Sequence, residues 1–280
     1  MNHCPVFFRI MWLLLLSGQV MADGVSIVND NNQSVPANYT GNVTIRWVDG
    51  SVYQGQLQQG QRHGWGVFVW ADGNRYEGYY QYGKREGQGL FRWVNGNYFV
   101  GHWKNGQRQG KGLFTWVTGA IYQGDFVADN RTGKGKMTWF DGSVYAGDFV
   151  NDERTGQADY TAANGDIYQG EYRQGQRHGQ GRYQWQQSGS VYLGSWLNNH
   201  REGMGLFTWQ NGDVYQGHFK NNKKHGQGTL TWQFGDRYEG HFKQDQRDGE
   251  GVLIWRSGQQ YNVTFSQGKR LPPPTHKGLQ

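Results

Sequence analysis

Apolar and polar residues alternate over short stretches of this chain, and the whole pattern repeats every 23 residues. Alternation with a period of two predicts β-strands, because successive side chains of a strand point to opposite faces. One step of the repeat is 24 residues long, where an extra residue falls near Ser188. If the residue that opens a unit is called position 1, nine full units begin at Tyr53, Tyr76, Phe99, Tyr122, Tyr145, Tyr168, Tyr192, Tyr215 and Tyr238.

Each unit predicts one β-hairpin. Position 1 is aromatic, position 3 is Gly and position 5 is aromatic or Leu, and these three positions share one face of a first strand. Position 8 is Gly, Asp or Asn, the residues that tolerate a left-handed backbone in a turn. The second strand has Gly at positions 12 and 14 (apart from Ala158), an apolar or aromatic residue at position 16, and Trp at position 18 in eight of nine units. Gly at position 21 closes a tight turn into the next unit.

The repeats also predict how the chain is divided. A leading half unit at residues 41–52 keeps Trp47 in register, and a trailing half unit starts at Tyr261 and ends near Gly268. The repeat array therefore covers residues 41–268. Residues 23–40 are polar and rich in Asn and are predicted as a linker, and residues 269–280 are predicted as a Pro-containing C-terminal tail.

The repeat resembles the MORN repeat (membrane occupation and recognition nexus). The pattern Y-x-G-x-(F/W)-x-x-G-x-R-x-G-x-G-x-(F/L)-x-W-x-x-G carries the resemblance over nearly all of residues 41–268. The resemblance implies an all-β fold: an elongated, solenoid-like, single-layer antiparallel sheet of tandem 23-residue hairpins. It also implies a non-catalytic scaffold or a membrane-proximal role. Family members with kinase or methyltransferase activity carry that activity in a separate domain, so we expect neither enzyme activity nor a cofactor.

Composition excludes a collagen-like chain and a disordered chain. Gly accounts for 45 of 280 residues and aromatic residues for 16%. A collagen-like chain is excluded, because the sequence has no three-residue period and only five Pro. Disorder is excluded as well, because aromatic residues at this density supply large buried areas.

Residues 1–22 have the layout of a secretory signal peptide. Arg9 precedes an apolar run at residues 10–16, and Ala22 ends a small-residue cleavage pattern. The run is too short to span a bilayer, so cleavage and export are predicted, with a periplasmic or extracellular, membrane-peripheral location. A membrane anchor left uncleaved or a short buried strand is the alternative. Cys4 is the sole Cys, so the mature chain would have neither disulfides nor thiolate metal ligands.

Position 10 is the most informative candidate site, because every unit has a cation there. Stacked hairpins would set these cations in a row along one edge of the sheet, about 10 Å apart, where they could bind anionic phospholipids or polyanions. The alternative is structural: each cation pairs with a turn carboxylate or covers an aromatic ring with its stem. The row consists of Arg62, Arg85, Arg108, Arg131, Arg154, Arg177, Arg201, Lys224 and Arg247.

Other candidate sites are weaker. Equivalent positions of neighbouring units lie about 9–10 Å apart, too far for paired residues such as His218 and His241 to share a metal ion, so no metal site is predicted. The acidic residues recur in turns, and no catalytic constellation stands out. Nucleic acid is not expected as a partner, because the core takes most of the aromatic residues. Trp65 and Tyr79 lie outside the core positions and could stack on carbohydrate.

Two places in the array depart from the pattern. In the fifth unit Ala158 replaces Gly and Ala162 replaces Trp, which predicts either a bend or hinge or a local packing variation. In the trailing half unit, Tyr261, Val263 and Phe265 predict a strand with no following hairpin partner. This strand could pair with that of a second copy to give a homodimer, and a monomer capped by its own tail is the alternative.

Two functions are therefore predicted as alternatives. The first is a secreted or periplasmic, non-enzymatic scaffold that binds proteins or a membrane surface through its elongated sheet. The second is binding of anionic membrane lipid or another polyanion through the cations of position 10.

Overall fold

Each repeat unit folds as a hairpin because its two alternating stretches pair across a turn of two residues. The computed structural model describes residues 25–272, which form one antiparallel sheet of 22 strands and contain no helix. The predicted signal peptide, residues 1–22, and most of the predicted tail, residues 273–280, lie outside the described residues. The all-β hairpin fold predicted from the repeat is confirmed.

The first strands of the units have seven residues each. They are β3 (Val52–Gln58), β5 (Arg75–Gln81), β7 (Tyr98–Lys104), β9 (Ile121–Val127), β11 (Val144–Val150), β13 (Ile167–Arg173), β15 (Val191–Leu197), β17 (Val214–Lys220) and β19 (Arg237–Lys243). The second strands have nine residues each. They are β4 (Gln61–Val69), β6 (Lys84–Arg92), β8 (Gln107–Thr115), β10 (Asn130–Thr138), β12 (Glu153–Thr161), β14 (Gln176–Gln184), β16 (His200–Thr208), β18 (Lys223–Thr231) and β20 (Gln246–Ile254). The flanking strands are β1 (Ser26–Asn29), β2 (Gly41–Arg46), β21 (Gln260–Ser266) and β22 (Lys269–Arg270).

Every strand pairs with the strands that precede and follow it in the chain, from β1 to β22. The turn inside each hairpin uses positions 7 and 8, both with a left-handed backbone, as at Asn198 (φ 49°) and Asn199 (φ 69°). Two left-handed residues define a type I′ turn, whose twist matches that of the flanking strands. The left-handed backbone expected at position 8 is confirmed, and position 7 adopts the same conformation.

A β-bulge follows the turn in every hairpin. In the first full unit Gln56 lies opposite His63, and the residue before it, Gly55, lies opposite Gly66, so that residues 64 and 65 have no partner on the first strand. The second strand thus holds two extra residues at positions 12 and 13. Bulges increase the local twist of a sheet, so one per hairpin gives the array a regular twist.

Glycine residues form a continuous row across the sheet, because positions 3 and 14 lie opposite each other within and between units. A Cβ atom on Gly66 would lie 2.5 Å from the Oη atom of Tyr53, so the row leaves room for the ring that covers it. The row ends in a buried Val at each end of the array, Val43 and Val263.

The core is a single layer of rings on one face of the sheet, here called the ring face (positions 1, 3, 5, 10, 14, 16 and 18). The position 1 rings are fully buried. Each packs edge-on against the position 5 ring of the next unit and, except in the first unit, where position 5 is Leu57, against the position 5 ring of its own unit. Tyr80, for example, packs against Tyr76 of its own unit (5.2 Å between centroids) and against Tyr53 of the preceding unit (5.6 Å). The opposite face (positions 2, 4, 13 and 15) carries no second layer of described residues and is called the open face.

The two ends of the sheet are closed to different extents. Part of the segment predicted as a linker forms β1, which pairs with β2, and a bridge between Val28 and Ser34 covers the outer side of β1. At the other end β22 pairs with β21 at Phe265 and Ser266, and the Leu271 N–H donates to the Thr264 carbonyl oxygen over 2.8 Å. Residues 25–272 contain no helix of the length and apolar character that a membrane span requires.

Candidate functional site

The position 10 cations lie on the ring face next to the turn, because position 10 is the cross-strand partner of position 5. The guanidinium carbon of Arg108 lies 5.3 Å from the ring centroids of both Phe114 and Phe126. The Arg108 side chain is only 20% exposed. The same arrangement recurs along the array, with the closest approach between Arg247 and Phe265, at 4.1 Å.

The same cations link neighbouring units. The Arg85 guanidinium donates to the carbonyl oxygen of Gly106, at position 8 of the next unit, over 2.7 Å. Equivalent bonds start from six other arginines of the row, at Arg62, Arg108, Arg131, Arg154, Arg177 and Arg201. Two of these arginines also form an ion pair with Asp at position 8, Arg108 with Asp129 at 3.1 Å and Arg131 with Asp152 at 2.7 Å.

Burial shifts the protonation equilibria of these groups. It lowers the pKa of the Arg85 and Arg201 guanidinium groups and of the Lys224 ammonium group. It raises the pKa of the Tyr80 hydroxyl, which lies among the rings, to about 12. The position 10 row therefore has a packing role in the sheet, and its binding to anions stays a prediction.

The opposite long edge of the sheet has a second set of links, which the sequence analysis missed. The Asn74 side-chain oxygen, at position 22, accepts a hydrogen bond from the backbone N–H of Val94 in the next unit over 2.9 Å. Asp213 does the same for Gln233. The signal was present in the sequence: position 22 is Asn, Asp or Ser in seven of the nine full units, and the exceptions are Ala120 in the third unit and Gln259 in the ninth.

The open face is polar and varies from unit to unit. Lys111 pairs with Asp125 across neighbouring strands at 2.8 Å. Near the N-terminal end, Trp65 and Tyr79 form an edge-to-face pair with centroids 5.4 Å apart, and both are half exposed. Towards the C-terminal end the face forms an open groove of about 1110 Å³, whose lining includes Met204, His218, Gln227, His241, Val252 and Thr264.

The structure also locates the other candidate residues that the sequence suggested. No group of three or more His, Cys, Asp or Glu residues in the described part of the chain could hold a metal ion. The fifth unit keeps the strand register of the other units, so its departure is one of packing and not of strand pairing. Of the predicted self-association residues, Val263 and Phe265 are buried and Tyr261 is 46% exposed.

Comparison with known families and structures gives three results. The family model described as MORN repeat matches nine consecutive segments, at residues 53–75, 76–98, 99–121, 122–144, 145–167, 168–190, 192–214, 215–237 and 238–260. The curated proteins contain no match to the chain.

Similar solved structures are remote. The TCP10 domain of Danio rerio CPAP, solved with a peptide of Danio rerio STIL, is 11% identical, with 86% of this chain and 100% of that chain covered and a TM-score of 0.41. The TCP10c domain of Drosophila melanogaster Sas-4 is 10% identical, with 64% and 93% covered and a TM-score of 0.29. At these TM-scores neither likeness bears on the function of this chain.

Proposed function

The chain belongs to the MORN repeat family, and from this premise we propose that it is an exported scaffold that binds partner proteins through the open face of its sheet. Repeat proteins of this family are generally binding scaffolds without enzyme activity. Export rests on the signal-peptide pattern of residues 1–22, which lie outside the described part of the chain.

The contrast between the two faces supports this proposal. Ring-face positions repeat from unit to unit, because they hold the hairpins together. Position 13 of the open face is instead Gln in four of the nine units and Lys in two, and it is Trp65, Met204 or Glu250 in the other three. A constant frame that carries a variable exposed surface is suited to specific recognition, because side chains can change there without loss of packing.

A photo-crosslinking amino acid tests this proposal directly. At Gln123, an exposed open-face residue, it should give discrete partner adducts in the native compartment. At Thr118, exposed in a turn on the long edge, it should give none. Open-face positions that yield no adduct while the protein is folded would contradict the proposal.

Lipid binding is the second candidate, and exposed lysines near the C-terminal end favour it more than the position 10 row does. Lys220, Lys223 and Lys243 are exposed beside the turns, and Lys269 and Arg270 continue this basic edge. Each basic residue near an anionic surface contributes about 1 kcal/mol.

Vesicle co-sedimentation separates the two candidates. The lipid candidate requires sedimentation with phosphatidylcholine vesicles that contain phosphatidylserine, with loss of binding at about 1 M salt, where the Debye length is about 3 Å. The K220Q/K223Q/K243Q variant should then stay in the supernatant. Replacement of Arg62, Arg85, Arg108 and Arg131 by Gln tests the position 10 row, under conditions where circular dichroism shows that this variant is folded. Wild-type protein that never sediments with these vesicles would exclude the lipid candidate.

We also propose that the C-terminal edge mediates self-association. The outer side of β21 is unpaired over residues 260–263 within the described part of the chain, whereas β1 has its outer side covered. An exposed strand edge pairs readily with another copy, antiparallel about a two-fold axis.

Light scattering should therefore give twice the monomer mass for the full chain and the monomer mass after truncation behind Trp255. Truncation behind Pro272 is the control, because it removes only residues outside the described part and should leave the dimer intact. A full chain that is monomeric at high concentration would rule out this edge contact.

A further inference from the structure

Aromatic rings form a stack along the ring face, in which the position 16 ring alternates with the position 18 Trp. Phe68 and Trp70 have centroids 4.4 Å apart, and Trp70 lies 5.3 Å from Phe91 of the next unit. The same two spacings recur from Tyr183 through Trp185 to Phe207, at 4.5 and 5.3 Å. Trp70, Trp93 and Trp185 each lie between two position 16 rings. In the fourth, eighth and ninth units position 16 is Met137, Leu230 and Leu253, so the stack of rings does not continue through those units.

The stack has a gap in the fifth unit, where Ala162 occupies the position of Trp. The walls of the gap are Tyr160 and Tyr183, the position 16 residues that would flank the missing indole. They are also the two tyrosines found at position 16 among the nine units. The gap opens to solvent as a pocket of about 510 Å³. By contrast, Met137 replaces a position 16 ring in the fourth unit and is buried, so that replacement leaves its place filled.

Two cations border the pocket, Arg154 and Arg177. Neither forms an ion pair with a described residue, because position 8 of the following unit is Gly175 or Asn199 instead of Asp. Asp141 and Asp166 also line the pocket. The Asp166 carboxylate already accepts bonds from the Tyr183 hydroxyl and from the Gln186 N–H, both at 2.9 Å, and the Asp141 carboxylate accepts bonds from the N–H and the hydroxyl of Ser143 at 2.9 and 2.6 Å. An incoming carboxylate would therefore meet guanidinium donors at this rim.

We propose that the gap between Tyr160 and Tyr183 receives an aromatic side chain, in size an indole, of a partner polypeptide that carries a carboxylate beside it. The ring would complete the interrupted stack, and Arg154 and Arg177 would bind the carboxylate. Aromatic anchors in pockets with charged rims are typical of the residues that dominate protein interfaces. This inference takes from the proposed function only the idea that the partner is a protein. The pocket itself lies on the ring face, whereas the proposed function concerns the open face.

Fluorine NMR tests the proposal with purified protein, so its outcome is independent of open-face crosslinking. The probes are N-acetyl-5-fluorotryptophanamide, a peptide with 5-fluorotryptophan between two Asp residues, and the same peptide with Lys in place of Asp. We expect all three signals to broaden and shift with wild-type protein, with the acidic peptide bound about tenfold more tightly than the amide. The Lys peptide should bind most weakly.

Two variants locate the site. A162W should abolish binding of all three probes, because it fills the gap, and it should fold, because eight other units carry Trp at this position. A71W is the matched control: it adds a Trp at an exposed turn of another unit and should bind as wild type does. If A162W does not fold by circular dichroism, A162F takes its place, and R177Q should remove the preference for Asp over Lys peptides.

Three outcomes would overturn the proposal. They are no binding of the acidic peptide to wild-type protein, binding that persists in folded A162W, and an acidic peptide that binds no more tightly than the amide. If the acidic peptide bound no more tightly than the amide, the pocket would be a cavity for small aromatic molecules and not a docking site for a polypeptide.

Discussion

Replacement of Gly147 by Ala should lower the free energy of unfolding by about 2–3 kcal/mol, the upper range for overpacking a close contact. Gly147 belongs to the glycine row and lies opposite Ala158, the one Ala among positions 3 and 14 of the nine units. A Cβ atom at Gly147 would overlap the Cβ atom of Ala158 and lie 2.8 Å from the Oη atom of Tyr145. Urea unfolding followed by circular dichroism measures the effect.

Two controls assign the cost to this contact. The double variant G147A/A158G removes the clash between the two methyl groups and should recover the part of the lost stability that this clash causes, so that the two substitutions are coupled. Gly175→Asn changes a turn glycine at position 8. Asn222, at position 8 of the eighth unit, already adopts a left-handed backbone, so this substitution should change the free energy of unfolding by no more than about 0.5 kcal/mol. A G147A protein with the wild-type urea midpoint would show that the row does not require glycine.

The hairpins could be predicted from the sequence because period and turn chemistry agree in every unit. Alternation places Tyr53 and Leu57 on one face, and Gly60 marks the turn that follows. The placement of the position 10 cations was also implicit in the pattern. A two-residue turn at positions 7 and 8 makes position 10 the partner of position 5, and cross-strand partners share a face. Arg62 therefore lies with Leu57 on the ring face, and not on a free edge.

The bulge and the pocket could not be predicted to the same extent. Glycines at positions 12 and 14 indicate an unusual backbone, but the sequence alone does not reveal how many residues the bulge inserts. The loss of Trp at Ala162 is plain in the sequence. Whether neighbouring rings collapse into such a gap depends on how firmly their strands hold them. Tyr160 and Tyr183 stay in register on paired strands, and a hydrogen bond to Asp166 holds Tyr183, so the gap remains open.

The position 10 cations give the second large expected effect. Arg108→Gln should lower the free energy of unfolding by about 2 kcal/mol, since it removes a charge-assisted link between two units and a cation from the faces of buried rings. Arg108 donates to the backbone carbonyl of Asp129 over 2.7 Å and to its carboxylate over 3.1 Å. Glutamine is too short to make these contacts from the same backbone position.

Lys111→Gln is the matched control for Arg108→Gln, because it also removes one cation and one ion pair from the same strand. The Lys111 side chain is 74% exposed on the open face, and exposed pairs contribute about 0.2–1 kcal/mol that salt screens. In urea unfolding at low and high salt, the small loss in Lys111→Gln should shrink as salt rises, whereas the loss in Arg108→Gln should persist. If the two variants lost equal amounts of stability and salt reduced both losses, the position 10 cations would be acting as surface charges. That result would favour the predicted role of the row in binding anions.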